Sequence, residues 1–178
     1  MTLDFSLDVN AIDRIIKQLE ERKKRIKEKA NEIARRLAEI GVEYAQLSFD
    51  ASIYDGIKDN HISLVKRRSG YSVVASGKTV LFIEFGTGVT YPDNHPKAAE
   101  FNMVRGSYGK GYGQYPEWGF YGEELGTNGE FARNKDGSIK EPHVVITHGN
   151  PANMPMYNAE QEMRSRILKI VKEVFSSD

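Results

Sequence analysis

Four histidines and a few carboxylates are the side chains of this 178-residue chain best suited to acid–base or metal chemistry. His61, His95, His143 and His148 are scattered, and no two stand at the i,i+4 spacing with which a helix presents a metal pair. Each therefore reads as a surface or strand-end side chain. A buried carboxyl can act as a general acid, because loss of water favours its protonated form. Glu84, between Ile83 and Phe85-Gly86-Thr87, is the candidate. With Glu123 or Glu124 it would form the carboxylate pair of a glycan hydrolase, the neighbouring aromatics acting as a platform. The simpler reading has Glu84 accepting hydrogen bonds from backbone amides of the Gly86-Thr87-Gly88 turn, or facing a neighbouring subunit. Ser76-Gly77-Lys78-Thr79 matches the end of a phosphate loop, but Ser72 occupies the place of its first glycine and a strand-like run follows. Gly109, Gly111 and Gly113 begin a dinucleotide pattern that Gln114 breaks. Ser69 and Ser138 lack the context of a nucleophile elbow. With no cysteine, a disulfide frame, a thiolate zinc site and a thiol nucleophile are all excluded. Catalytic signals are thus poor, and no catalytic residue, metal or cofactor is expected.

Binding is better represented than catalysis. Nine of the eighteen aromatic residues lie between Tyr91 and Phe131, and eight of the sixteen glycines between Gly106 and Gly129. Tyr108, Tyr112, Tyr115, Trp118, Phe120 and Tyr121 could stack on sugars or unpaired bases. Only Arg105 and Lys110 stand near them, too few cations for a nucleic-acid site. Tyrosine with glycine suits protein contact, because tyrosine offers large area at low conformational entropy cost. Between Arg14 and Arg36 lie ten basic and four acidic residues. A solvated helix face is the default for such a run, with a nucleic-acid-binding module as the alternative. Twenty-five basic against twenty-five acidic residues give no net charge, which argues against a globally basic nucleic-acid binder.

These residues need elements to position them. Ile12, Ile16, Leu19, Ile26, Ala30, Ile33, Leu37, Ile40, Tyr44 and Leu47 alternate by threes and fours, interrupted by Lys23, and predict a long amphipathic helix over 10–47. Asp8 or Asn10 can cap its start. A helix of that length either projects toward a partner or breaks near Gly41. Ile62 to Arg67, Tyr71 to Ala75, Thr79 to Phe85 and Val144 to Thr147 read as strands, placing a sheet in 57–90 and 143–148. Residues 91–142 form a long Gly/aromatic-rich insertion loop. A C-terminal helix over 153–176 follows, with Pro155 in its first turn and Ala159, Met163, Ile167, Ile170, Val171 and Val174 as its stripe. The expected fold is a single α+β domain over 1–178, a small mainly antiparallel sheet of about four strands packed against two helices. The first ten residues do not resemble a signal peptide, and no stretch is long and apolar enough to span a membrane.

Ile83-Glu84-Phe85-Gly86-Thr87 and Asn150-Pro151-Ala152-Asn153-Met154-Pro155-Met156 resemble motifs of the minor tail and neck proteins of long-tailed bacteriophages, a family described as tail-component, head–tail joining or tail-completion proteins. The order of elements is similar too: an amphipathic first helix, a hairpin region, Glu-Phe-Gly-Thr, a variable loop, a proline-alanine element and a last helix. The resemblance covers most of the chain outside about Tyr91 to Pro142. It implies a structural virion protein at the neck or tail end, assembled in the bacterial host cytoplasm. It implies copies of itself in a ring, a hexamer being expected, that meet the tail tube and head-completion or connector proteins and contact passing DNA. Ring contacts are heterologous, one patch meeting a different patch on the next subunit. On that reading Glu84, Phe85, Gly86, Thr87, Pro151, Met154 and Pro155 shape neighbouring edges, and the first helix and the aromatic loop, with Tyr108, Tyr112, Tyr115 and Trp118, meet the next ring.

Overall fold

The computed structural model describes residues 8–54, 56–87, 94–103, 117–125 and 129–176, with Trp118 described by its backbone alone. The fold is α+β, as expected. Helix α1 runs unbroken from Val9 to Ala51. The Asp8 carboxylate accepts from the Asn10 amide at its start, and the Ser52 hydroxyl donates to the Phe49 carbonyl, 2.6 Å away, at its end. At ~1.5 Å per residue its 43 residues span about 64 Å. Its buried positions, Ala38, Gly41, Ala45 and Phe49, all lie in the C-terminal third. The helix therefore projects, and Gly41 does not break it. A Cβ at Gly41 would stand 2.5 Å from Met163 Sδ and 2.8 Å from Val73 Cγ2, so glycine is what lets three elements meet there.

Strands β1 (His61–Arg67) and β2 (Gly70–Ser76) form an antiparallel hairpin in register from His61 opposite Ser76 to Arg67 opposite Gly70. The next segment corrects an expectation. Thr79 to Phe85 is not a strand: Val80–Phe85 is a short helix, α2. The Asp59 carboxylate accepts from the amides of Lys78 and Thr79 and from the Thr79 hydroxyl, which turns the chain as it leaves β2. Val80, Ile83, Glu84 and Phe85 are all buried, so α2 has almost no polar face. Five apolar residues and a buried glutamate, in a segment of six, carry no period that separates helix from strand.

The sheet is likewise not one unit of four strands. Besides the hairpin there is an antiparallel three-stranded sheet in the order β3 (Trp118–Tyr121), β5 (Val144–Thr147), β4 (Glu130–Phe131). Two of its strands come from the segment expected to be an insertion loop, which also forms turns over 95–102 and an Arg133–Ile139 bridge. β5 is the central strand: Val145 and Thr147, almost fully buried, line one face, and Val144 and Ile146, half-buried, the other.

Helix α3 (Pro155–Ser176) runs antiparallel to α1: Met163 lies at Gly41, Glu173 pairs with Arg36, and the Lys29 ammonium sits 4.8 Å from the Phe175 ring centre. The core joins Ala45 and Phe49 of α1, Ile62 of β1, Val80 and Ile83 of α2 and Ala159 of α3. Phe49 and Ile83 are fully buried, and each such side chain stabilises by roughly 1.5–3 kcal/mol on leaving water. Everything that follows is hung on this junction of α1, α2 and α3.

Candidate functional site

Helix α3 begins without a capping side chain of its own. Pro155 occupies its first position, and the preceding residue, Met154, has φ 58° and no side-chain oxygen to offer the free amides. The first turn of any helix leaves backbone N–H groups unpaired. Glu84 of α2 supplies the missing acceptor: Oε2 takes the Met156 amide at 2.7 Å and Oε1 the Tyr157 amide at 2.9 Å. A carboxylate also suits the positive end of the α3 dipole. The bonds described for Glu84 are thus a long-range cap inside the subunit, which its place beside the Gly86-Thr87 turn did not foretell.

His95 completes the cluster. It is only 4% exposed, against 5% for Glu84, so the surface or strand-end reading is corrected for this histidine. Its Nδ1 accepts from the Lys97 amide at 3.0 Å, which leaves Nε2 to carry the proton toward Glu84 Oε1, 2.9 Å away. Its ring lies 4.4 Å from Phe85 and 5.4 Å from Tyr157, centre to centre. Just outside, Lys97 reaches Glu160 at 2.6 Å. That hydrogen bond is the main reason the lysine pKa is raised and the glutamate pKa lowered.

The rest of both sequence motifs closes round this cap. Thr87 donates its amide to the Asn150 carbonyl at 2.8 Å, and its Oγ1 accepts from the Asn150 amide at 2.9 Å. Gly86 has φ 78° and ψ 176°, a region essentially reserved for glycine. A Cβ there would stand 2.7 Å from Ala152 N and 2.8 Å from Asn150 O, both backbone atoms. The amides of Asn153 and Met154 donate to the carbonyls of Ile83 and Glu84. The Asn153 side chain then accepts from the Ile53 amide and donates to the Ile53 carbonyl, each at 2.8 Å, tying the end of α1 to the same point.

Of the residues singled out in the sequence, Glu84, Phe85, Gly86, Thr87, Pro151, Met154 and Pro155 thus come together, but as an inward-facing lock. Tyr108, Tyr112 and Tyr115 lie outside the described residues, and the Trp118 backbone pairs with Thr147 in β3. Glu123 pairs with His143 at 2.9 Å, with Glu141 3.7 Å from the other ring nitrogen, while Glu124, His61 and His148 are exposed. No group of three or more histidine or acidic side chains could hold a metal ion among the described residues. Three N–H donors occupy the two Glu84 oxygens, so the carboxylate ties α2, α3 and the His95 segment together. An apolar groove of about 340 Å³ between α1, β2 and α3 is lined by Leu37, Tyr71, Val73, Met163 and Ile167, and its two charged residues, Glu160 and Arg164, pair with each other.

His95, Asn153 and Asp59 were not anticipated as positioning residues. The legible hint was Met154-Pro155, a helix start with no serine, threonine, aspartate or asparagine in the capping place, which obliges another segment to provide the acceptor. No family model, curated protein or solved structure matches the chain.

Proposed function

We propose that this chain is a structural virion protein of a long-tailed bacteriophage that closes into a ring at the neck or tail end, completing the tail for attachment to the head. The observation that carries the reading is the lock itself. The two motifs on which the resemblance rests are more than sixty residues apart in sequence, yet they form one hydrogen-bonded unit through Glu84–Met156 and Thr87–Asn150. Motifs with a shared structural purpose are expected to meet in this way. The lock fixes the angles of α1, α2 and α3 at one point, and ring closure needs every subunit to present its two patches at the same angle. The role is assembly, with no reaction to perform.

Native mass measurement at high and low concentration, with negative-stain images of the same sample, tests the reading. A closed ring, alone or on purified tail tubes, is the expected result. A protein that stays monomeric in the presence of tubes overturns it.

A further inference from the structure

We propose that the projecting part of α1, from Ile12 to Ile26, is a docking seam for an acidic amphipathic helix of a different protein. The inference is independent of the ring reading. It rests on exposure, phase and charge.

Ile12, Ile16, Leu19 and Ile26 are exposed, Leu19 by 57% and Ile26 by 59%. α3 has only 22 residues against the 43 of α1, so roughly 30 Å of α1 extends past it at ~1.5 Å per residue. The exposed stripe is not a leftover of the core face. Projected at ~100° per residue, it lies roughly 70° round the helix from Ala38, Gly41, Ala45 and Phe49. The core face, continued outward, takes in Ile16 at its edge and otherwise runs through Asp13, Glu20 and Lys27, the polar surface an unsupported helix should have. The apolar stripe instead follows the heptad spacing of a two-helix seam.

Charge selects the occupant. From Val9 to Glu28 there are seven basic and four acidic residues, and Arg22, Lys23 and Lys27 sit beside or within the inner half of the seam. A second copy fits badly. In a parallel pair Lys23 meets Lys23 and Arg22 meets Lys27. In the antiparallel registers that keep apolar residues opposed, Asp13 meets Glu20, or Glu20 meets Glu20 and Arg22 meets Arg22 beside two Asp13–Lys27 pairs, so each register keeps like charges together. A partner helix with acids opposite Arg22, Lys23 and Lys27, and none opposite Asp13 and Glu20, satisfies every one of these positions. A lysine inside a seam fixes register at some cost in stability, so Lys23 would also select where the partner sits.

The test uses the full-length protein and a fluorescent synthetic peptide of three heptads, with leucine in the seam, glutamate opposite Lys23 and on the flanks opposite Arg22 and Lys27, and alanine opposite Asp13 and Glu20. Anisotropy should show binding that weakens by roughly tenfold in Lys23→Glu and more in the double variant Ile16→Ser, Leu19→Ser. The same peptide with lysine flanks should bind at least about tenfold more weakly. Equal binding of the two peptides overturns the proposal, as does no binding of either. Tighter binding of a peptide copied from residues 9–29 points to self-association and overturns it too. So does capture of the protein by phosphatidylglycerol vesicles or duplex DNA through these residues where the acidic peptide fails.

Discussion

Glu84 does for α3 what a serine or aspartate usually does from the position before a helix, but it does so from another helix 72 residues away. A local cap can be lost and replaced by water, whereas this cap is buried against His95 and Phe85, where no water substitutes. Glu84→Gln keeps the shape and loses one acceptor, setting an amide NH2 against the Met156 or Tyr157 N–H. A buried donor left unpaired costs about 1–3 kcal/mol, and chemical denaturation of the variant should show a loss of that size; an unchanged midpoint would mean that the carboxylate is not the cap. Asp59 provides a second test, read through pH. Its carboxyl pKa is lowered from 3.8 to about 2, first by the Thr79 hydroxyl and then by the amides of Lys78 and Thr79. The folded state therefore holds the ionised form more strongly than the unfolded chain does. That contribution is complete above 3.8 and is lost as pH falls through the interval down to about 2. Thermal melts of the native protein and Asp59→Asn should converge across that interval, and parallel curves would count against the cap.

At the level of elements, the two long helices and the hairpin could be read from periodicity because each has one apolar and one polar face over many residues. α2 could not, since Val80 to Phe85 is too short and too buried for a period to register. β3 and β4 were hidden for a different reason: they are four and two residues long and gain their order from β5, far along the chain. A deletion of 106–129 would therefore remove a strand and not only a loop. The phase of α1 was also misleading. The large residues Tyr44 and Leu47 mark the exposed stripe, while small ones, Ala38, Gly41 and Ala45, mark the buried face, because close approach of α1 and α3 requires small side chains. Gly41→Leu should cost about 1–3 kcal/mol by overpacking against Met163 and Val73, despite leucine being the better helix former. Gly86→Ala tests the other joint, with three backbone atoms of residues 150–152 crowding the new methyl and an unfavourable φ; a loss of about 2–4 kcal/mol is expected from strain and crowding together. Equilibrium unfolding of both variants decides, and a neutral result at either position would remove that contact from the account of the fold.

For the whole molecule, the division of α1 into a buried third and a projecting remainder makes a prediction that neither half makes alone. A helix of about 20 residues without a packed face is marginal in water. Residues 9–28 carry no buried side chain, and the contacts of α1 with α3 begin near Lys29 and Arg36. Stability of the subunit should therefore reside in the junction of α1, α2 and α3, while the projecting segment is held only by helical continuity. Deleting residues 1–28 should leave the melting temperature within a few degrees of the native value, since about 1 kcal/mol corresponds to ~2–4 °C in a domain of this size. Amide exchange in the full-length protein should be fast over 9–28 and slow at Phe49, Ile83 and Ala159, the most deeply buried positions of the junction. On docking of the acidic helix, protection should appear over 12–26 and leave the junction unchanged. A large drop in melting temperature on truncation, or slow exchange in the projecting segment of the free subunit, would show that this part of α1 belongs to the subunit's own fold and is not kept for a partner.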